Sequence, residues 1–386
     1  MHNKVQPLTL AYHTAMKKLI PYALTAIVIS LSSFNVHAVN ASELIYHDAS
    51  TLPVIGTLAQ EATKAYSRLP DSLQGKVRKE LFDLGKDPAG MAVRFRSDAS
   101  AIGAQWTSLL KFNMNHMTAT GVRGLDLYVL NDNGQWTTVG SARPTFNDHH
   151  TRTLIISDME PKMREYMLYL SLYDGVDSLS IGVDSTAVVL PPQADSPKSD
   201  KVVIMYGTSI LQGGCASRPG MAHSSILERM LDREVINLGF SGNGRLDPEI
   251  AQLIASCPNP GLIVIDCLPN CKKEQIEERL ENFYNIIRKS HPAVPILFVE
   301  SPIFPLMRLN TETLATITAK NDTFRTIYER IAGQDPNVYY FYGKDVLGDT
   351  VEGTVDNFHF TDLGFTHYAN ALYPVLKSLL EDKSKP

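Results

Sequence analysis

Five unbroken apolar runs in the second half of the chain limit its fold more than any other feature. They cover 202–206, 235–237, 262–266, 296–299 and 338–341, the second and third closing on a polar Asn237 and Asp266. A strand with one wet face alternates apolar and polar residues. An unbroken run marks a strand buried on both faces, as in a parallel sheet covered by helices. Helical stretches separate the runs, over 224–231, 248–255, 274–289 and 311–331, and a last one spans 362–380. Pro248 suits a first helical turn, where a missing N–H costs nothing. The alternation predicts an α/β unit with a parallel sheet and helices on both faces. In such sheets ligands meet the carboxyl ends of the strands.

The first half has a different rhythm. Segments 92–96, 125–129 and 178–183 are short and strand-like, and the turn Asn131-Asp132-Asn133-Gly134 carries an Asn-Gly hairpin signal. This pattern predicts a β-sandwich domain over 42–190. Pro191, Pro192 and Pro197 mark 191–200 as a linker, which leaves 201–386 for the α/β domain. A chain of 386 residues accommodates two domains. Its net charge of -5 offers no basic footprint, so nucleic acid is not an expected partner.

The amino terminus reads as a secretory signal over 1–38. Lys17 and Lys18 precede an apolar run over 19–31, and Val36-His37-Ala38 supplies the small exit residue. The run falls short of the about 20 residues that span a bilayer. Translation can begin at Met1 or Met16. The expected location is periplasmic or extracellular, with no membrane span after signal removal. Cys215, Cys257, Cys267 and Cys271 would then meet an oxidising space. They allow three full pairings, or they pack as buried thiols. No His-rich spacing accompanies them, so no metal site is expected.

Four motifs carry the chemistry. Gly207-Thr208-Ser209 follows the first apolar run and can expose a hydroxyl at a strand tip. Ser241-Gly242-Asn243 follows the second, where glycine permits close backbone approach to a ligand. Asn270 follows the third and can offer an amide to a developing oxyanion. Asp356-Asn357-Phe358-His359 precedes the last helix, with the carboxylate and imidazole at the spacing of one tight turn. Each alone reads as a turn or a cap. Together they put a nucleophile, oxyanion donors and a base with its orienter on one rim of one sheet.

The order Gly-x-Ser, Ser-Gly-Asn, Asn, Asp-x-x-His resembles the sequence blocks of the SGNH (GDSL-type) hydrolases over 202–380. The resemblance implies a flavodoxin-like three-layer fold with five parallel strands. It implies Ser209 as nucleophile, His359 as general base and Asp356 as its orienter. The Ser209 N–H, Gly242 and Asn270 would form the oxyanion hole. No metal or organic cofactor is implied. Gly124-Leu125-Asp126-Leu127-Tyr128 resembles the G-x-D-L-Y signature of a β-rich domain that precedes some bacterial members, and 215–220 resembles the same subgroup. The sequence departs from the family at Thr208, Leu268, Cys271 and Phe360, where the usual residues are Asp, Gly, Asp and Pro. None of the four is a group the mechanism requires.

The function expected from this reading is hydrolysis of short-chain, chiefly acetyl, esters on an extracellular carbohydrate. Arg218, one loop past Ser209, is a candidate substrate contact. A lipase or lysophospholipase-like acyl hydrolase is the alternative enzyme. A carbohydrate-binding protein on an inactive scaffold is the alternative outside catalysis. The first domain can serve assembly into a homo-oligomer or roof the active site.

Overall fold

The computed structural model describes residues 39–59, 66–304, 307, 309–344, 346–347 and 351–381. The expected signal segment 1–38 lies outside the described residues. The first half builds strands β1 (Ile45–Asp48), β2 (Val54–Ile55), β3 (Ala92–Ser97), β4 (Ile102–Ser108), β5 (Leu125–Leu130), β6 (Trp136–Ala142), β7 (His150–Ile156), β8 (Arg164–Tyr169), β9 (Val176–Val183) and β10 (Val189–Leu190). Short helices α1 (Lys79–Leu84) and α2 (Ala119–Val122) interrupt them. One sheet runs β1-β9-β4-β7, and the other runs β10-β3-β8-β5-β6 with β2 also paired to β3. Phe95, Leu127 and Leu168 from one sheet meet Ile102, Trp106 and Ile181 from the other in a single apolar core. The Asn131–Gly134 turn closes the β5–β6 hairpin, with Gly134 at φ 74° and its N–H donated to the Asn131 carbonyl.

The second half builds β11 (Lys198–Gly207), α3 (Ser209–Gln212), α4 (His223–Leu231), β12 (Arg233–Gly239), α5 (Pro248–Ala255), β13 (Pro260–Asp266), α6 (Lys273–Ser290), β14 (Ile296–Val299), α7 (Thr311–Ala332), β15 (Val338–Phe341) and α8 (Asp362–Glu381). All five strands are parallel in the order β12-β11-β13-β14-β15. Ile204 and Tyr206 point to the face covered by α5, α6 and α7. Val203 and Met205 point to the face covered by α4 and α8. Period-two alternation on a strand buried on both sides makes each residue of these runs a core residue, hence the unbroken apolar sequence.

The two halves share structure. Leu69 and Leu81, from the segment ahead of β3, pack into the core on the α5–α7 side of the sheet. Arg68 is fully buried and donates to the carbonyls of Asn237 (3.2 Å) and Gly239 (2.5 Å) at the end of β12. The Pro-rich tract between the halves is pinned. Ser196 accepts from Trp136 Nε1 at 3.0 Å and donates to Asp232 at 2.5 Å. Its last residues extend β11, which begins at Lys198; their exposed polar side chains hid them from an apolar search.

Candidate active site

β11 stops at Gly207, where a Cβ would come within 2.6 Å of the Asp266 carbonyl oxygen on the neighbouring strand. Thr208 caps the next turn, its Oγ1 accepting the Ile210 N–H at 3.3 Å. Ser209 thus opens α3 at the strand tip. It is 4% exposed, and its carbonyl accepts from Gly213, Gly214 and the Tyr173 hydroxyl. Tyr173 belongs to the first half of the chain, so the sandwich side supports the turn under this serine.

The loop before α8 brings the imidazole in from the other side. Ser209 Oγ lies 2.9 Å from His359 Nε2. His359 Nδ1 lies 2.8 Å from Asp356 Oδ2, and Asp356 Oδ1 accepts the backbone N–H of His359 at 2.7 Å. Asn357 between them takes a left-handed φ of 67°, which folds the carboxylate back onto the imidazole. Partial burial pushes the Asp356 carboxyl up. Hydrogen bonds from the His359 ring and from the His359 and Phe358 N–H groups outweigh it and hold the carboxyl below its ordinary value. An ionised Asp356 fixes the proton on Nδ1 and leaves the Nε2 lone pair facing the hydroxyl.

The other two motifs flank this serine because β12 and β13 flank β11. Gly242 adopts φ 67° in the turn after β12, and space is open where a Cβ would stand. The turn is fixed at three points. Ser241 N donates to Gln212 Oε1 at 2.9 Å, Asn243 N donates to the Phe240 carbonyl at 2.8 Å, and Gly244 N donates to Asn270 Oδ1 at 3.2 Å. With its oxygen held by Gly244, the Asn270 carboxamide keeps its NH2 end for another acceptor. Arg78, ahead of α1, grips the same turn. It contacts Asn243 Oδ1, donates to the Asn243 carbonyl at 3.1 Å and pairs with Asp247 at 2.8 and 3.0 Å.

Arg218, expected as a substrate contact, has its guanidinium occupied. Nη1 donates to Asp126 Oδ2 at 2.5 Å and to the Tyr128 hydroxyl at 2.6 Å. The four departures from the family pattern serve local structure. Thr208 caps α3, Leu268 and Cys271 are buried, and Phe360 packs among Phe304, Phe365 and Tyr368. All four cysteines are free, buried thiols, the second of the two states the sequence allowed. Sequence reading missed Arg68, Arg78, Tyr173 and His116. The ring of the last lies tilted against that of His359, 5.8 Å between centroids. These residues all lie in the first half of the chain, where no spacing ties them to the motifs.

Residues 200–377 match the GDSL-like lipase/acylhydrolase family, and residues 44–189 match the GxDLY domain, the N-terminus of SGNH-hydrolase-type esterases. A protein from Bacteroides ovatus described as a GDSL-like lipase is 29% identical, covering 88% of this chain and 98% of its own, with a TM-score of 0.82. A salicylyl-acyltransferase of a tetracycline biosynthetic pathway is 16% identical over 89% of this chain and 99% of its own, at a TM-score of 0.71. A family two carbohydrate esterase from Cellvibrio japonicus is 12% identical over 88% of this chain and 98% of its own, at 0.54. The last two likenesses show the fold. No curated protein matches the sequence. With a five-stranded parallel sheet, a GDSL-like domain and a GxDLY domain ahead of it, the chain belongs to the SGNH (GDSL-type) hydrolase family and is a carboxylic ester hydrolase.

Proposed function

We propose that this protein is an exported acetylesterase acting on O-acetylated carbohydrate through a Ser209–His359–Asp356 triad. The observation that carries the reading is the hydrogen-bonded chain from Ser209 Oγ to His359 Nε2 at 2.9 Å and from His359 Nδ1 to Asp356 at 2.8 Å. His359 takes the hydroxyl proton as Ser209 Oγ attacks the ester carbonyl carbon. The Ser209 and Gly242 N–H groups and the Asn270 amide receive the oxyanion. The tetrahedral intermediate collapses, His359 protonates the leaving alcohol, and an acyl-enzyme remains. Water, activated by the same imidazole, then releases the acid and restores Ser209.

Polar groups around the serine support a sugar-borne ester. Asn243, Arg245 and Asn270 stand on the loops about the Gly242 turn. The two-part architecture is also that of the carbohydrate esterase from Cellvibrio japonicus. A polar surround suits an acetyl group better than a long acyl chain, which needs an apolar trench.

The test is hydrolysis of p-nitrophenyl acetate, longer acyl homologues and acetylated xylan oligosaccharides by the wild type and Ser209→Ala. Rapid cleavage of acetyl substrates, falling with chain length and lost by about a thousandfold in the variant, supports the proposal. Preference for long chains moves the protein to the lipase or lysophospholipase reading. Saturable glycan binding without turnover moves it to a binding scaffold. Export is tested separately: mass spectrometry of protein recovered outside the cytoplasm should find a mature chain beginning at Val39.

A further inference from the structure

Three residues from separate segments converge beside the Ser209 hydroxyl. His116 lies in the loop before α2, Cys215 lies six residues past Ser209, and His359 lies in the loop before α8. One ligand atom from each, a nitrogen of either imidazole and the Cys215 sulfur, lies within 4.8 Å of the other two. Nothing in the ester chemistry uses His116 or Cys215.

Each imidazole carries a lone pair on Nε2, that of His359 facing the Ser209 hydroxyl at 2.9 Å, which an ion would displace. His116 Nδ1 is 3.0 Å from Asn115 Oδ1, an acceptor, so Nδ1 carries the proton and Nε2 the lone pair. His359 has the same arrangement, with Nδ1 given to Asp356 and the lone pair on Nε2. A metal-binding imidazole typically donates its other nitrogen to an oxygen in this way. Cys215 occupies a left-handed φ of 75°, uncommon for a residue with a side chain. Its N–H is tied to Met117 Sδ at 3.4 Å, one residue from His116, so the two ligands are held together.

Two imidazoles and a sulfur form a donor set preferred by Zn²⁺ and similar thiophilic cations. A tetrahedral ion with Zn–N near ~2.0 Å and Zn–S near ~2.3 Å spaces its ligands about 3.5 Å apart. Closing 4.8 Å to that spacing asks for a shift of about 1 Å, within reach of a side-chain rotation by the half-buried His116. A water completes the fourth position.

We propose that His116, Cys215 and His359 form a binding site for a thiophilic divalent cation of the zinc class, whose occupation silences the esterase. The ion replaces the Cys215 thiol proton, forming a metal–sulfur bond and releasing H⁺ to solvent. Burial, with the nearby Asp356 charge adding to it, pushes that thiol up to about 12, so the ion must displace a firmly held proton. Metal on Nε2 takes the lone pair that would accept the Ser209 proton. The inhibitory half of the proposal rests on the triad reading; the binding half does not.

The experiment titrates ZnCl₂ into the full-length protein by calorimetry, as wild type, His116→Ala, Cys215→Ser and Ser209→Ala, with CoCl₂ spectra in parallel. Wild type and Ser209→Ala should bind one ion. His116→Ala and Cys215→Ser should each weaken binding at least tenfold. Co²⁺ should give a thiolate-to-metal charge-transfer band that Cys215→Ser abolishes. Acetylesterase activity of the wild type should fall with the same midpoint as binding and return with chelator, while His116→Ala stays active at that zinc concentration. Absent binding, or binding and a cobalt spectrum unchanged in both ligand variants, overturns the site. Full binding without inhibition overturns the inhibitory half alone. Because Ser209→Ala is scored by binding, failure of the triad reading leaves the metal result standing. His116→Ala, at a half-buried surface position, keeps the test decisive if Cys215→Ser folds poorly.

Discussion

Asp126 on β5 has no exposed surface, and Arg218 from the loop after α3 reaches it with Nη1 at 2.5 Å. The Gly220 N–H adds a bond at 2.9 Å and the Ser141 hydroxyl one at 3.1 Å. Tyr128 donates its ring face and accepts at its hydroxyl from the same guanidinium. The aspartate and tyrosine of the G-x-D-L-Y signature therefore bolt the sandwich to the hydrolase loop. Burial pushes the Asp126 carboxyl up despite Arg218, so removing the arginine leaves a costly group in the interior. Arg218→Ala should cost roughly 3 kcal/mol in denaturant unfolding, and adding Asp126→Asn should restore part of it. KM for acetylated sugar should stay near wild type in the folded protein. A large KM rise at unchanged stability would instead make Arg218 a substrate contact.

The Ser209–His359–Asp356 chain makes separable demands on its members. Asp356→Asn keeps the shape but donates where His359 Nδ1 also donates, favouring the wrong tautomer. It should lower kcat by about 10²- to 10⁴-fold with a small effect on KM. Asn270→Ala removes the proposed oxyanion donor together with the acceptor for the Gly244 N–H, and should lower kcat by at least about 10²- to 10³-fold. Steady-state kinetics on p-nitrophenyl acetate measure both. Losses under tenfold in both variants would place the chemistry elsewhere.

How far the sequence carried this picture depended on the kind of contact. Every strand of the parallel sheet announced itself through an apolar stretch buried on both faces, while polar ends such as 198–201 of β11 stayed hidden. The motifs fell at the ends of β11, β12 and β13 since topology sends all three strand tips to one rim. What escaped was supplied by the first half of the chain: Arg68, Arg78, His116 and Tyr173. A buried arginine such as Arg68 looks in sequence like the surface arginines that outnumber it. Its destination, the carbonyls at the end of β12, is fixed by tertiary packing alone.

Arg78 provides a test of that missed layer. It binds both ends of Asn243 and pairs with Asp247, bracketing the turn that carries Gly242. The residue acts through this turn. Arg78→Ala should lower kcat by about 10- to 100-fold, as expected for a small misplacement of an oxyanion donor. KM should change little, and Arg78→Lys should recover only part of the rate because lysine lacks the forked donor geometry. An equal fall in stability and activity, with kcat normal for the folded fraction, would reduce Arg78 to a packing role.

Asp266 ends β13 with its carboxylate fully buried, accepting the Tyr368 hydroxyl at 2.9 Å. Burial raises its folded pKa to about 7, and the Tyr368 bond offsets only part of that rise. The unfolded chain holds an ordinary aspartate near ~3.9. The folded state therefore binds the proton more tightly. The stability this contributes is fully present below the unfolded value and is lost as pH rises through the folded one. Asp87 and Glu228, also raised to about 7, act in the same sense, while the buried His223, lowered to about 3, acts oppositely below its unfolded value. Comparison with Asp266→Asn isolates one group from this mixture. The variant keeps an oxygen for Tyr368 and cannot ionise. Its Tm should exceed the wild-type value at pH 8, and the gap should close as pH falls from about 7 towards about 4, below which the wild-type carboxyl is protonated in both states. Thermal unfolding across that range measures the gap directly. A gap that is constant with pH would mean that Asp266 titrates alike in the folded and unfolded chain, despite its burial beneath the strand tip that carries Ser209.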